Sequence, residues 1–375
     1  MRVVRLLGVL VFLAVLAGGA FVWTTWRELR AFRDTPFGSG SEKLVEIAPG
    51  TNARGVIRRL AETGVLSDEE TAWRYMRMWK RDKRMLKAGE YAFSGPLLPD
   101  DVLERIYRGE VKSWKFTVPE GLRADEIAPI IERASLGKSE ELLALMRDPA
   151  VAKELGLPFP SMEGFLFPDT YAFPRSVKPG DLLSAMVARY REAWKRAETR
   201  RRPGVTLDEG QAVILASIIE KETGRGDERQ RISCVFHNRL ARGMKLQTDP
   251  TVMYATMLRK GGRWSNNITR KDLQAPHPYN TYTVAGLPPG PIASPGEAAL
   301  AAAVSPSDCK DLYFVSRNDG SHVFCPDLRC HQAAVREWQV EFFRARKAAR
   351  ESAQAPVVAP APAEAAVPPE PPPRG

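Results

Sequence analysis

The chain has few of the residues that usually bind metal ions. Its 375 residues include only four cysteines and four histidines. One group combines both types, but the spacing of His322, Cys325, Cys330 and His331 matches no standard zinc finger. We therefore expect no metal site, and the sequence indicates no other cofactor.

The chain also lacks a nucleic-acid-binding motif, although its net charge is +10. A positive charge of this size favours an anionic environment such as nucleic acid, a membrane surface or an acidic polymer. A solvated basic surface explains it equally well. The densest basic run, residues 189–202, matches no known nucleic-acid module. We therefore expect no nucleic-acid partner.

Charged residues are absent from Leu6 to Trp26. At a rise of about 1.5 Å per residue, a helix over this segment spans a hydrocarbon core of about 30 Å. A cleaved signal peptide is the alternative, because residues 17–20 are small. The apolar run continues past them through Trp23, which favours an uncleaved transmembrane anchor.

A strand, a glycine turn and a helix follow each other twice in the N-terminal half. The first copy starts at Lys43 and the second at Lys115, where the helix covers residues 124–133. The second copy resembles the opening of a LysM module, a small βαα unit that binds glycans. The alternative is two βα units that merely pack in one domain.

Residues 311–325 predict a β-hairpin near the C-terminus. Its Asp-Gly dipeptide suits a two-residue type I′ turn, which would place Cys309 opposite Cys330 if the ladder runs that far. We therefore predict a disulfide between them, with Cys325–Cys330 as the alternative. Cys234 lies in an apolar helical run and is predicted to be a core residue.

The segment Leu215–Tyr254 contains the strongest candidate for chemistry. A buried helix, predicted to begin at a capping box of Thr206 and Glu209, ends in two carboxylates, Glu220 and Glu222. Burial and the negative end of the helix dipole should both raise the pKa of a carboxyl group there. A carboxylic acid that stays protonated near neutral pH can protonate a leaving oxygen.

Spacing alone does not decide between these two carboxylates. Glu222 lies over two isoleucines that would desolvate it, whereas Glu220 lies over small residues that leave room for a substrate. Either one could instead form a salt bridge with the nearby Arg225, Arg229 or Arg231.

Several motifs between about residues 44 and 338 resemble the YceG-like endolytic murein transglycosylases, which cut the glycan strands of the bacterial cell wall. The matching motifs are Glu163–Tyr171, Ile218–Thr223, Val235–Leu240, Leu246–Val252, Tyr279–Thr283 and Gly286–Ile292. Within the second motif, the resemblance implies that the first glutamate, Glu220, is the catalytic acid.

The resemblance implies non-hydrolytic cleavage of the β-1,4 bond between N-acetylmuramic acid and N-acetylglucosamine. Glu220 would protonate the glycosidic oxygen and then remove the proton of the muramoyl C6 hydroxyl, which closes onto C1 as a 1,6-anhydro ring. The polar candidates for substrate binding, each of which could instead be a structural residue, are Glu163, Asn238, Gln247, Asp249, Asn280 and Tyr282.

The predicted fold class is α+β, with a transmembrane helix, small LysM-like βα modules and a helix-rich α+β catalytic domain. The predicted boundaries are 1–5 for a cytoplasmic tail, 6–26 for the transmembrane helix, 27–43 for a linker, 44–112 for an N-terminal βα module, 113–155 for the LysM-like module, 156–345 for the catalytic domain and 346–375 for a disordered Ala/Pro-rich tail.

The resemblance also implies a single-pass protein of the cytoplasmic membrane, with the N-terminus inside and the catalytic domain outside. Arginines on both sides of the apolar segment weaken the charge signal for this orientation. The expected partners are peptidoglycan glycan strands and the membrane, with peptidoglycan synthases as further candidates. The alternative function is a non-catalytic, membrane-anchored scaffold that holds glycan for cell-wall synthesis.

Overall fold

The computed structural model of the protein describes residues 2–80 and 84–347. The fold is a helix-rich α+β arrangement, which confirms the predicted class. From residue 348 onward, the predicted disordered tail lies outside the described residues. The helices are α1 (Arg2–Asp34), α2 (Ala53–Glu62), α3 (Glu69–Arg74), α4 (Pro99–Arg108), α5 (Ala124–Arg133), α6 (Ser139–Met146), α7 (Pro149–Glu154), α8 (Pro179–Glu198), α9 (Glu209–Glu222), α10 (Arg229–Ala241), α11 (Asp249–Arg259), α12 (Arg270–Gln274), α13 (Glu297–Val304) and α14 (Leu328–Val335).

Within residues 2–80 and 84–347, six short strands form three separate antiparallel pairs, β1–β2, β3–β4 and β5–β6. The strands are β1 (Lys43–Ile47), β2 (Gly89–Phe93), β3 (Trp114–Thr117), β4 (Thr170–Phe173), β5 (Tyr313–Ser316) and β6 (His322–Cys325). Two π-helical segments, Tyr75–Lys80 and Arg336–Glu341, continue α3 and α14.

Helix α1 is long and apolar enough to cross a membrane, and an 18-residue window within it has a mean hydropathy of 2.5. It does not end where the apolar run ends. Leu29 is buried in the core of the N-terminal module, Phe32 packs against Tyr75 at 5.4 Å between ring centroids, and Glu28 forms an ion pair with Arg74 at 3.0 Å. The first part of the predicted linker 27–43 is therefore a helical extension anchored in the module.

The predicted repeat is present as two units with helices between paired strands, namely α2 and α3 in the first unit and α5, α6 and α7 in the second. The first is built on the β1–β2 pair and the second on the β3–β4 pair. Strand β4 and the buried face of α8 both contribute to the second unit, although they lie beyond the predicted boundary at residue 155. Whether this unit is a LysM module stays a prediction.

Helix α9 is the centre of the largest hydrophobic core. Every residue from Ala212 to Ile219 is buried, and the helix contacts α10, α11 and α13. The predicted capping box is wrong by two residues, because Asp208 caps the helix and exchanges hydrogen bonds with Gln211. Glu209 instead accepts a hydrogen bond of 2.8 Å from the Tyr190 hydroxyl.

The β5–β6 hairpin has a longer loop than the sequence predicts. Ser316 pairs with His322, and the Arg317 N–H donates to the Ser321 carbonyl at 2.8 Å. The loop therefore holds three residues, with Asn318 and Gly320 both at positive φ. An added loop residue changes the strand register by one, which also changes the side chains that face each other.

This register rules out the predicted Cys309–Cys330 disulfide, which is wrong. The ladder ends at the Tyr313–Cys325 pair, so it never reaches Cys309. Cys309 is bonded to Cys234, and Cys325 is bonded to Cys330, as the alternative had it. The disulfides thus join α10 to the segment before β5, and β6 to α14.

Candidate active site

A cleft of about 500 Å³ opens at the C-terminal end of α9. We call it the Glu222 cleft. One side is formed by the end of α9, α10 and the start of α11, and the other by the β5–β6 hairpin and α14. The residues that line it are Glu222, Arg239, Gln247, Asp249, Tyr282, Tyr313, Phe314, Ser316, His322, Leu328 and His331.

Glu222 is the acidic residue that the last turn of α9 presents to this cleft. Desolvation raises the pKa of its carboxyl group to about 7, and the negative charge of Asp249 acts in the same direction. A hydrogen bond from the Thr248 hydroxyl and the positive charge of Arg239 oppose this rise. A carboxyl group with this pKa carries a proton in much of the population at neutral pH, so it can act as a general acid.

The loop before α11 is fixed by buried threonines. The Thr248 N–H donates to the Thr281 hydroxyl at 3.1 Å, and the Thr251 hydroxyl donates to the Thr248 carbonyl at 2.7 Å. Thr251 and Thr281 also share a hydrogen bond of 2.8 Å. Gln247 stands at the start of this loop with φ of 49°, a backbone conformation that costs energy for a non-glycine residue. The threonine network therefore holds both Gln247 and Thr248 at the cleft.

Asp249 and Tyr282 form a second polar pair at the cleft. The Tyr282 hydroxyl donates to the Asp249 carboxylate at 2.7 Å. Burial raises the pKa of Tyr282, and the bond to Asp249 adds to this, so its hydroxyl stays protonated. Asn280 fixes this arrangement from below, because its side-chain oxygen accepts the Tyr282 N–H at 2.9 Å while its amide group donates to the Ala275 carbonyl at 2.8 Å.

The hairpin side of the cleft carries aromatic rings and two imidazoles. His331 stacks on Tyr313 with 4.8 Å between ring centroids, and the Arg239 guanidinium lies 5.0 Å from the same tyrosine ring. Arg239 is held by the Leu312 and Leu246 carbonyls, to which it donates at 2.6 Å each. This side of the cleft therefore presents stacked rings and a fixed guanidinium group next to each other.

Glu220 lies away from the residues that line the Glu222 cleft. Its side chain is 6% exposed, and its carboxylate accepts the Gly296 N–H at 2.9 Å and a hydrogen bond of 3.4 Å from Arg229. Arg229 also approaches Glu120, which belongs to the loop after β3, at 3.9 Å. Together with Lys221, which donates to the Gly121 carbonyl at 3.1 Å, Glu220 links α9 to the unit built on the β3–β4 pair.

Three of the sequence-predicted binding residues, Gln247, Asp249 and Tyr282, line the cleft, and the other three do not. Asn280 is buried beneath it. The Asn238 amide group donates to the Cys309 and Asp311 carbonyls at 3.1 and 3.0 Å, which ties α10 to the segment before β5.

Glu163 also lies elsewhere, in a buried position. Its carboxyl group accepts the Ala124 N–H at 3.2 Å and a hydrogen bond of 3.5 Å from the Tyr254 hydroxyl. Desolvation raises the pKa of this carboxyl group to about 7. These contacts connect the main domain, which is the part of the chain built around the α9 core, to the start of α5. They give Glu163 a structural position.

The hairpin side of the cleft is absent from the site predicted from the sequence. His322 and His331 drew attention only as zinc ligands with Cys325 and Cys330, yet these two cysteines are bonded to each other. The useful signal was the clustering of two imidazoles near an aromatic strand. The predicted β5–β6 register was wrong by one residue, so it did not show which side chains of the hairpin face the cleft.

A model of the YceG-like family matches residues 45–337 of the chain. An endolytic murein transglycosylase of Bacillus subtilis strain 168 is 28% identical over 313 residues, which cover 78% of this chain and 84% of that protein. A protein of the same name from Streptococcus pneumoniae serotype 2 strain D39 is 27% identical over 364 residues, and this chain spans 64% of its length. The crystal structure of a YceG-like protein from Listeria monocytogenes superposes with a TM-score of 0.50 at 30% identity, covering 79% of this chain and 99% of that one.

Proposed function

Because the chain belongs to the YceG-like family, we propose that it cleaves peptidoglycan as an endolytic murein transglycosylase. The bond cut is the β-1,4 link between N-acetylmuramic acid and N-acetylglucosamine, and the product is a 1,6-anhydromuramic end. The observation that carries this proposal is a carboxyl group with a pKa of about 7 at the end of a buried helix, facing an open cleft.

The proton donor in this proposal is Glu222, not Glu220. Glu222 lines the cleft and holds a raised pKa, whereas Glu220 is occupied by Arg229 and the Gly296 N–H in a different environment. This assignment departs from the one that the resemblance implies, which gave the role to the first glutamate of the motif Ile-Ile-Glu-Lys-Glu-Thr. Cleft geometry favours the second glutamate.

The proposed reaction needs one carboxyl group because the nucleophile belongs to the substrate. Glu222 gives its proton to the glycosidic oxygen as positive charge develops at the muramoyl C1. The muramoyl C6 hydroxyl then attacks C1 within the same sugar, so its effective concentration is high and no water has to be positioned. Hydrolytic glycosidases instead place two carboxyl groups across the bond.

Gln247, Asp249 and Tyr282 are proposed to bind the glycan. The Tyr282 hydroxyl and the Gln247 amide offer hydrogen bonds of the kind that an N-acetyl group or a sugar hydroxyl can make. Asp249 has a second role in this proposal, because its charge helps to keep Glu222 protonated. The aromatic rings of the hairpin side would pack against sugar faces.

The N-terminal helix is proposed to stay in the cytoplasmic membrane, with the cleft outside the cytoplasm. Two disulfides within the main domain support this placement, since disulfides persist in oxidising compartments. A synthase of glycan strands is a natural partner in the same location, because it would supply the membrane-proximal substrate.

Two matched variants, Glu222→Gln and Glu220→Gln, test the proposal. The detergent-solubilised full-length protein is incubated with purified sacculi, and soluble products are identified by mass spectrometry. We expect Glu222→Gln to abolish anhydro-ended products and Glu220→Gln to retain them. Both variants should bind sacculi, and their thermal unfolding should be recorded to establish that they are folded.

Other outcomes would redirect the assignment. Loss of activity in Glu220→Gln alone, in a folded protein, would return the acid role to Glu220. Reducing-ended products from the wild type would indicate a muramidase, with Asp249 as its second carboxylate. Sacculus binding without any cleavage by the wild type would favour the scaffold function.

A further inference from the structure

His322 and Glu228 form a carboxylate–imidazole pair on the hairpin side of the Glu222 cleft. His322 Nδ1 lies 2.6 Å from one Glu228 oxygen, and the His322 backbone N–H donates to the other at 3.0 Å. The two side chains are 10% and 13% exposed. The Glu228 carboxylate therefore contacts both the backbone and the side chain of His322. These two contacts fix the start of β6 and the orientation of the imidazole ring.

This contact determines which ring nitrogen is free. A carboxylate only accepts hydrogen bonds, so Nδ1 carries the proton and Nε2 presents its lone pair. Within the described parts of the chain, no residue makes a hydrogen bond to Nε2, and His322 lines the cleft. A carboxylate that orients an imidazole in this way also stabilises the imidazolium that forms when Nε2 takes a proton.

Two aromatic rings flank the His322 imidazole. The Phe314 ring meets it edge-on at 5.4 Å, and the Phe324 ring lies 6.2 Å away. The Arg231 guanidinium lies over the Phe324 ring, 4.4 Å from its centroid. Arg231 also forms an ion pair with Asp311. Among the described residues Nε2 has no hydrogen-bond partner, and because His322 lines the cleft, this nitrogen is available to a bound substrate.

We propose that His322 is the base that removes the proton of the muramoyl C6 hydroxyl, with Glu228 as its positioning residue. This inference rests on the proposed transglycosylase function and divides acid and base roles between two side chains. As the bond between C1 and the glycosidic oxygen breaks, that oxygen takes the proton of Glu222. The C6 oxygen bonds to C1 while its proton moves to His322 Nε2, and transfer of a proton from His322 back to Glu222 restores both groups.

The test uses His322→Asn in the full-length protein, because the asparagine amide can still donate to Glu228 in place of Nδ1 but offers no base. We expect kcat for anhydro-product formation to fall about 100-fold or more, with a small change in KM. We also expect the product mixture to shift towards reducing ends, since water then competes with an unactivated C6 hydroxyl. Added imidazole should restore part of the rate.

A second variant, Glu228→Gln, keeps the hydrogen bond but removes the charge that favours imidazolium. It should lower kcat about 10-fold and move the product ratio in the same direction, without a matching loss of thermal stability. A merely structural role for the pair would lower stability and leave the product ratio unchanged.

The failure of this inference is distinguishable from the failure of the proposed function. An inactive Glu222→Gln, together with a His322→Asn that makes only anhydro ends at a rate near wild type, would overturn the base role alone. A wild type that releases no anhydro-ended products would overturn the proposed function itself, whereas a fully active Glu222→Gln would overturn only the acid role of Glu222.

Discussion

Glu220 and Glu222 lie two residues apart on α9, and their carboxyl groups face different surroundings. The Glu220 carboxylate accepts a hydrogen bond from the Gly296 N–H and pairs with Arg229. The Glu222 carboxyl group lines the cleft and is hydrogen-bonded to Thr248. Two positions on an α-helix differ by about 200° around the axis, so neighbouring glutamates with this spacing point to opposite sides. The same helix end therefore supplies both a contact between modules and a candidate acid.

Activity should fall as the pH rises through about 7, the pKa of Glu222, because the proposed acid must be protonated to act. Thr248→Val should move this descending limb to higher pH, since the lost hydroxyl bond had stabilised the carboxylate form. Thr248→Ser keeps the hydroxyl and is the control. The measurement is kcat for soluble product release between pH 5 and 9, and identical limbs in all three proteins would contradict the assignment.

Glu222→Gln should stabilise the protein at alkaline pH. The folded-state pKa of about 7 is above the ordinary value of 4.5, so the native state binds this proton more tightly than the unfolded state. Ionisation therefore costs stability as the pH rises from about 4.5 to 7, by about 3 kcal/mol in total. We expect the variant to unfold at a higher temperature than wild type at pH 8 and at the same temperature near pH 4. The expectation fails if the variant is equally or less stable at pH 8.

Removing the Cys234–Cys309 disulfide should cost more stability than removing Cys325–Cys330. Cys234 and Cys309 are 75 positions apart in the sequence, whereas Cys325 and Cys330 are 5 positions apart, so the first disulfide closes a much longer loop. Loop-closure entropy then predicts losses of about 4 and about 2 kcal/mol. Double serine variants of each pair, unfolded in urea, give both values. Peptide mapping under non-reducing conditions checks the pairing itself, and a Cys309–Cys330 peptide would refute it.

Gly164→Ala should destabilise the main domain, although alanine adds only one carbon. Gly164 has φ of 84°, and a Cβ there would lie 2.4 Å from the Pro291 Cβ. We expect a loss of more than about 1 kcal/mol. Gly180→Ala is the matched control, because nothing lies within 4 Å of its added carbon in the first turn of α8. Equal unfolding midpoints for the two variants would contradict this account.

Local patterns predicted the elements well where the signal lay within a few residues. The apolar run of α9, the two strand–turn–helix repeats and the hairpin all occur where periodicity and turn residues indicate. The α9 start was misplaced because Thr206 with Glu209 and Asp208 with Gln211 both fit a capping box. The choice between them depends on Tyr190, a residue of α8 that takes Glu209 as its partner.

The candidate site was less predictable, since distant parts of the chain determine it. The helical period shows that Glu220 and Glu222 face opposite ways, but not which way the cleft opens. The direction in which the cleft opens depends on the Thr248 loop and on the β5–β6 hairpin, which begins about 90 residues after Glu222. The loop of this hairpin holds one residue more than its Asp-Gly dipeptide suggests. His322 could be recognised as a cleft residue only once this register was known.

Helix α1 passes into the N-terminal module without a break, as the burial of Leu29 and the Glu28–Arg74 ion pair demonstrate. In a membrane-anchored protein built this way, a rigid helix joins the anchor to the module. A flexible linker would instead let the module change its distance from the membrane. Contacts such as Lys221 with Gly121 carry that stiffness on to the main domain. The Glu222 cleft would then stay at a nearly constant distance from the bilayer. That distance would itself determine which glycan strands the cleft can reach.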